Sequence, residues 1–151
     1  MKSEATGPDD PQPIMYRILV PVDTDPDRAR GQAAFVEDLP TTAENIEVIV
    51  THALPPDDVK DPDDVDGIED VETVTLAEEY LTERGYAVEL ATGRMPPADG
   101  ILDLAEDHGV DLIVMGSRKR SPTGKVIFGS VSQQVLLESP VPVTVVGTKP
   151  A

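Results

Sequence analysis

A five-stranded, doubly wound α/β sheet is the fold this sequence predicts, and two observations predict it. Short Val- and Ile-rich runs recur along the chain, and helical patterns of roughly 10–15 residues stand between them. Strands spaced in this way are joined by right-handed βαβ crossovers, so the sheet should be parallel and covered by helices on both faces. Residues 16–23 (YRILVPVD) form a short apolar run typical of a buried parallel strand. Residues 27–39 carry Ala29, Ala33, Ala34, Val36 and Leu39 on a helical period that ends before Pro40. Residues 47–53 (EVIVTHA) are the second strand, and the Pro- and Asp-rich stretch 55–70 reads as an acidic surface loop. A helix from Val71 to Arg84, stopped by Gly85, leads to a third strand at 86–91. A helix from Pro97 to His108, stopped by Gly109, leads to a fourth strand at 111–115. Residues 130–138 are the last helix and 141–146 the last strand. Residues 1–14 hold three prolines and no apolar periodicity, and read as a disordered acidic tail. Met15 is a candidate initiator, and the folded domain is expected over 15–148.

A chain of 151 residues suits one domain with one aliphatic core, since aromatics make up only 3%. There are 29 acidic residues against 12 basic ones, a formal net charge of −17. Such a field repels nucleic acids and anionic membranes, so neither is an expected partner. Only 5 of the 12 bases are Lys, and an acidic, Lys-poor surface is similar to those of proteins from salt-loving cytoplasms. No apolar run approaches the ~20 residues of a membrane span, and no basic-then-apolar signal opens the sequence. Without cysteine, disulfides and thiolate metal sites are excluded. A cytoplasmic location is the expectation.

Ligands of doubly wound sheets bind beyond the C-terminal strand ends, where the strand order reverses. That directs attention to Asp23, His52, the 92–97 turn and the residues from Gly116 onward. Between Gly116 and Ser130, Arg118, Lys119, Arg120 and Lys125 place four of the 12 bases within eight residues. On so acidic a chain, a cationic patch at a ligand-binding edge suits an anion. Gly129-Ser130 then opens a helix, whose free N–H groups and positive dipole end favour a phosphate. Ser130 with Gln133 also fits a capping box, which would explain both residues without a ligand. Gly124-Lys125 imitates a P-loop, but position 119 is Lys rather than Gly and Val126 replaces the magnesium-binding hydroxyl. Asp23 could meet a ligand or cap the next turn. His52 and His108 fit packing and capping roles, and Asp99, Asp103, Glu106 and Asp107 fit one solvated helix face.

The stretch from Val114 to Ser132, then PVPVTVV at 140–146, resembles the universal stress proteins. Their ATP-binding members carry Gly, two residues, Gly, nine residues, then Gly-Ser/Thr; Gly116 and Gly129-Ser130 match that spacing. Residues 18–23 (ILVPVD) and 50–53 (VTHA) are also similar, so the resemblance runs over about 15–147. It implies strand order 3-2-1-4-5, a cleft between strands one and four, and homodimers, here through strand 141–146. It also implies that Asp23 contacts the nucleoside, with Pro21, Val22 and Met115 beside it, and that Val48 lines the adenine pocket. Gly116, Gly129, Ser130, Val131 and Ser132 would hold ribose and phosphates, with Arg118 and Lys119 alongside. Lys119 departs from the motif's middle glycine: it gives up backbone freedom and supplies a cation. The implied ligand is ATP, AMP or ADP, with or without Mg2+, in a regulatory or stress-protective protein. Two alternatives are a nucleotide-free dimer acting by protein interaction and a slow ATPase, for which no general base is identifiable.

Overall fold

The computed structural model describes residues 15–53, 68, 71–117 and 129–147. The N-terminal tail, the acidic stretch and the basic segment with Arg118, Lys119, Arg120 and Lys125 lie outside them, Ile68 excepted. The elements run β1 (Tyr16–Val22), α1 (Pro26–Glu37), a 3-10 turn (Ala43–Asn45), β2 (Ile46–His52), α2 (Glu72–Glu83), β3 (Ala87–Leu90), α3 (Pro97–Asp107), β4 (Leu112–Gly116), α4 (Ser130–Glu138) and β5 (Val143–Val146). The strands form one sheet in the order β3-β2-β1-β4-β5, and every neighbouring pair is parallel.

Side-chain alternation along the strands decides what each face meets. Ile18, Val20, Val22, Val48, Val50 and Val114 point to one face, against Ala29, Ala33 and Val36 of α1 and Val74, Ala77 and Leu81 of α2. Leu19, Ile49, Ile113 and Met115 point to the other, against Ala98, Ile101, Leu104 and Ala105 of α3 and Val135 of α4. Gly85 and Gly109 follow α2 and α3 with φ of 89° and 59°, a left-handed conformation that ends a helix without a Cβ penalty. The boundaries differ from the sequence reading by at most two residues, at the end of α1 and the start of β5. Its ladder to β4 starts at Val143 because Pro142 has no N–H to give, although Pro142 O accepts from Ile113 N at 3.0 Å. The four acids of α3 were expected on one solvated face, but two of them, Asp99 and Asp103, pair with Arg94.

The split at the centre of the sheet follows from Pro21. Val22 O turns toward β2, where it accepts from Ala53 N at 2.6 Å, so residue 21 faces β4. A proline there offers no donor, and the β1–β4 ladder stops at Leu19↔Ile113. Two carbonyls, Pro21 O and Val114 O, are left facing the gap. The Gln32 side-chain amide from α1 donates to both, at 2.7 and 2.9 Å, and is 1% exposed. Buried acceptors are thereby satisfied while the strands diverge.

Candidate functional site

The gap opens into a cleft of about 540 Å³ at the C-terminal edge of the sheet, within the range of small-molecule sites. Pro21, Asp23 and Thr24 bound it from β1 and the turn beyond, and Met115 and Gly116 from β4. Gly129, Ser130, Val131 and Ser132 bring in the start of α4. Pro96, Pro97 and Ala98 form a wall at the start of α3, and Ala53 closes the β2 side. Arg28 and Gln32 reach in from α1.

Two of the residues expected at the site lie elsewhere. Val48 and Val22 are both fully buried among the aliphatics under α1 and α2, and neither lines the cleft. The reason is strand parity: the cleft-lining Pro21, Ala53 and Met115 stand on the opposite face, and one residue of offset exchanges the faces. Ala53, just past the end of β2, meets the cleft from that side, and Val48 does not. Arg118 and Lys119 lie outside the described residues. His52 ends β2 beside the cleft residue Ala53, and its Nδ1 is buried with no partner among the described residues. Burial holds its pKa below the ordinary 6.5.

The start of α4 differs from a capping box. Gly129, with extended backbone (φ −74°, ψ 166°), is the N-cap, no side chain among the described residues caps the helix, and Ser130 is already its first residue. The first helical bond is Gln133 N to Gly129 O at 3.0 Å. The N–H groups of Ser130, Val131 and Ser132 precede it, these residues line the cleft, and no side chain among the described residues caps them; the positive end of the helix dipole lies behind them.

Asp23 has a double engagement. One carboxylate oxygen accepts from Asp25 N at 2.9 Å, and the other from Arg28 Nε at 2.8 Å. Its backbone O accepts from the Thr73 hydroxyl, which ties the end of β1 to α2. Asp25, not Asp23, is the N-cap of α1, accepting from Asp27 N and Arg28 N. Asp23 thus does shape the next turn, and it also presents an ion-paired carboxylate to the cleft. Arg28 and Gln32 were missed by the sequence reading. The signal was there: Gln32 breaks the buried Ala29–Ala33–Val36 stripe of α1, and Arg28 sits one helical turn before it, on the same face.

Among the described residues, no group of three or more His, Asp or Glu could hold a metal ion, and no helix is long and apolar enough to cross a membrane. The sequence matches the model of the universal stress protein family over residues 15–147. A universal stress protein of Methanocaldococcus jannaschii is 42% identical over 53 residues, which span 35% of this chain and 33% of that protein. The Bacillus subtilis universal stress protein YxiE is 40% identical over 70 residues, 46% of this chain and 47% of its own. These matches thus span only a third to a half of those relatives. Solved structures match over more of their length. A universal stress protein from Archaeoglobus fulgidus superposes with TM-score 0.68 at 37% identity, over 88% of this chain and 99% of that one. A structure of the universal stress protein from Archaeoglobus fulgidus in complex with dAMP gives 0.63 at 28% identity, over 89% and 99%. With its strand order, its split between β1 and β4 and this match over nearly the whole described domain, the chain belongs to the universal stress protein family.

Proposed function

We propose that the cleft binds an adenine nucleotide and that the protein is a cytoplasmic, nucleotide-responsive member of its family. The observation that carries this is the start of α4, which lines the cleft together with Asp23 and whose first three N–H groups precede the first helical bond, with no side-chain cap from the N-cap Gly129. A nucleotide has both complements: an anion for the helix end and a nucleoside with hydroxyl and amine donors for a carboxylate. The dAMP complex of a relative with the same fold supports the assignment. Apolar surface from Pro21, Ala53, Pro97, Ala98 and Met115 would face the base. The bases of the 118–125 segment, including Arg118 and Lys119, would complete the phosphate end for ATP, ADP or AMP. Any Mg2+ would be held chiefly by the nucleotide's own phosphates.

The reading is of binding rather than turnover. Asp23 is the only carboxylate among the described residues lining the cleft, and both its oxygens are engaged. Self-association along β5 is part of the proposal, because this strand is the sheet edge and its valines are only half-buried. The test is a titration with AMP, ADP and ATP at high salt. Ligand at about 100 times its dissociation constant should add roughly 2.7 kcal/mol to the unfolding free energy. Gly129→Val, which puts a branched side chain at the phosphate end, should weaken binding far more than His52→Ala. The absence of any shift with all three nucleotides would favour the nucleotide-free alternative.

A further inference from the structure

Gly116 is the position where family resemblance and local packing give different reasons for a glycine. By resemblance, it lets a ribose or phosphate approach the backbone. In the fold, Gly116 occupies the β4 position whose side chain would point toward α1, on the same face as Val114. A Cβ built there would stand 2.8 Å from both Cγ and Cδ of Arg28 and 3.0 Å from Oε1 of Gln32. Neither neighbour is free to yield. The Arg28 side chain is only 15% exposed, and its Nε is bound to Asp23. Its Nη2 faces Asp25 at 3.6 Å, and its Nη1 donates to Ser117 O at 3.3 Å. The Gln32 amide is held at both hydrogens by the split strands.

Arg28 is the only cation among the described residues lining the cleft, yet two carboxylates and a carbonyl already engage it. It is therefore poorly placed to clamp a phosphate and well placed to fix a carboxylate. Its planar fork joins Asp23, at the end of β1, to Ser117, just past β4, across the gap where the two strands share no hydrogen bonds. We propose that Arg28 is a positioning residue of the cleft: it orients the Asp23 carboxylate for the nucleoside, and Gly116 lacks a side chain to admit the Arg28 stem. This inference rests on the nucleotide reading for its first half and on packing alone for its second.

A double-mutant cycle separates the two halves. Arg28→Ala, Gly116→Ala and the double variant are compared by thermal unfolding and by calorimetric titration with AMP. Gly116→Ala alone should lower the melting temperature by several degrees, or fail to fold. In the Arg28→Ala background the same change should cost clearly less, because the stem it strikes hardest is gone and only the 3.0 Å contact with Gln32 Oε1 remains. Arg28→Ala should weaken AMP about tenfold, the loss expected for one charged hydrogen bond. Arg28→Lys should recover little of that affinity, since an ammonium cannot hold Asp23 and Ser117 O together. A double variant as damaged as the sum of the singles, or one that fails to fold like Gly116→Ala, would overturn the packing assignment. Undiminished AMP affinity in Arg28→Ala would overturn the positioning assignment. A wild type that binds no nucleotide defeats the functional reading and the positioning half with it, while the unfolding data still judge the packing half.

Discussion

The same substitution at two helical glycines should have opposite effects on stability. Gly31 lies inside α1, where an added Cβ would meet only Val146 Cγ1 at 3.8 Å, an ordinary contact. Gly31→Ala should therefore show the helix-propensity gain of about 0.5–1 kcal/mol. Gly100 lies inside α3, where a Cβ would stand 2.2 Å from Arg94 O, 2.9 Å from Arg94 N and 3.1 Å from Gly93 C. All three are backbone atoms, so the strain can be relieved only by pushing the 93–94 segment away from the helix. Overpacking of this kind costs roughly 1–3 kcal/mol, with contact this short at the upper end, and it outweighs the propensity gain by roughly 2 kcal/mol. At about 3–5 °C per kcal/mol for a domain of this length, Gly100→Ala should lose roughly 6–10 °C and Gly31→Ala should gain a few. Differential scanning calorimetry reads both. The displaced segment leads directly into Pro96 and Pro97 of the cleft wall, so Gly100→Ala should also weaken nucleotide binding. A Gly100→Ala variant as stable as wild type would refute the close approach of these backbones, and with it the account of how that wall is positioned.

Gln32→Leu keeps the volume but removes both donors from the split, leaving Pro21 O and Val114 O buried and unpaired. It should cost about 2–4 kcal/mol in urea unfolding, and a variant as stable as wild type would contradict the role given to the amide. His52 should make the fold acid-sensitive: its pKa lies below 6.5 in the folded protein, so above that pH it has no effect. As the pH falls below 6.5, the unfolded chain takes up a proton that the folded state resists, and stability drops until the folded value is passed. His52→Gln should accordingly lose less melting temperature than wild type between about pH 7.5 and 5.5, and equal losses would count against a buried neutral imidazole. The half-buried edge of β5 predicts a dimer in velocity sedimentation at high salt. Val143→Asp with Val145→Asp, checked for folding by circular dichroism, should sediment as a monomer, and a monomeric wild type would end that proposal.

The fold was legible because parallel strands, buried on both faces, write themselves as apolar runs such as ILVPV and VIVTH, and Gly85 and Gly109 mark where helices stop. Pro21 could have been read as a missing donor in a central strand, and that reading was not made. Parity could have corrected Val48, since residues 46, 48 and 50 must share a face and residue 53 must take the other; the error came from carrying a family role to a residue without counting alternation. The capping box at Ser130 failed by one position, because Gly129 adopts the extended cap conformation and Ser130 enters the helix. What could not be read from sequence is clearance. That Gly116 makes room for Arg28, and Gly100 for the 93–94 backbone, depends on distances between elements far apart in the chain.

If the cleft between β1 and β4 holds an adenine nucleotide, its phosphate lies at the start of α4 and its nucleoside against Asp23. A crystal structure of the protein grown with AMP tests this most directly. Phosphate oxygens should lie within hydrogen-bonding distance of the N–H groups of Ser130, Val131 or Ser132, the base should be bordered by Ala53 and Met115, and Asp23 should still pair with Arg28. AMP bound outside this cleft, or bound within it with its phosphate away from α4, would rule out this placement of the nucleotide.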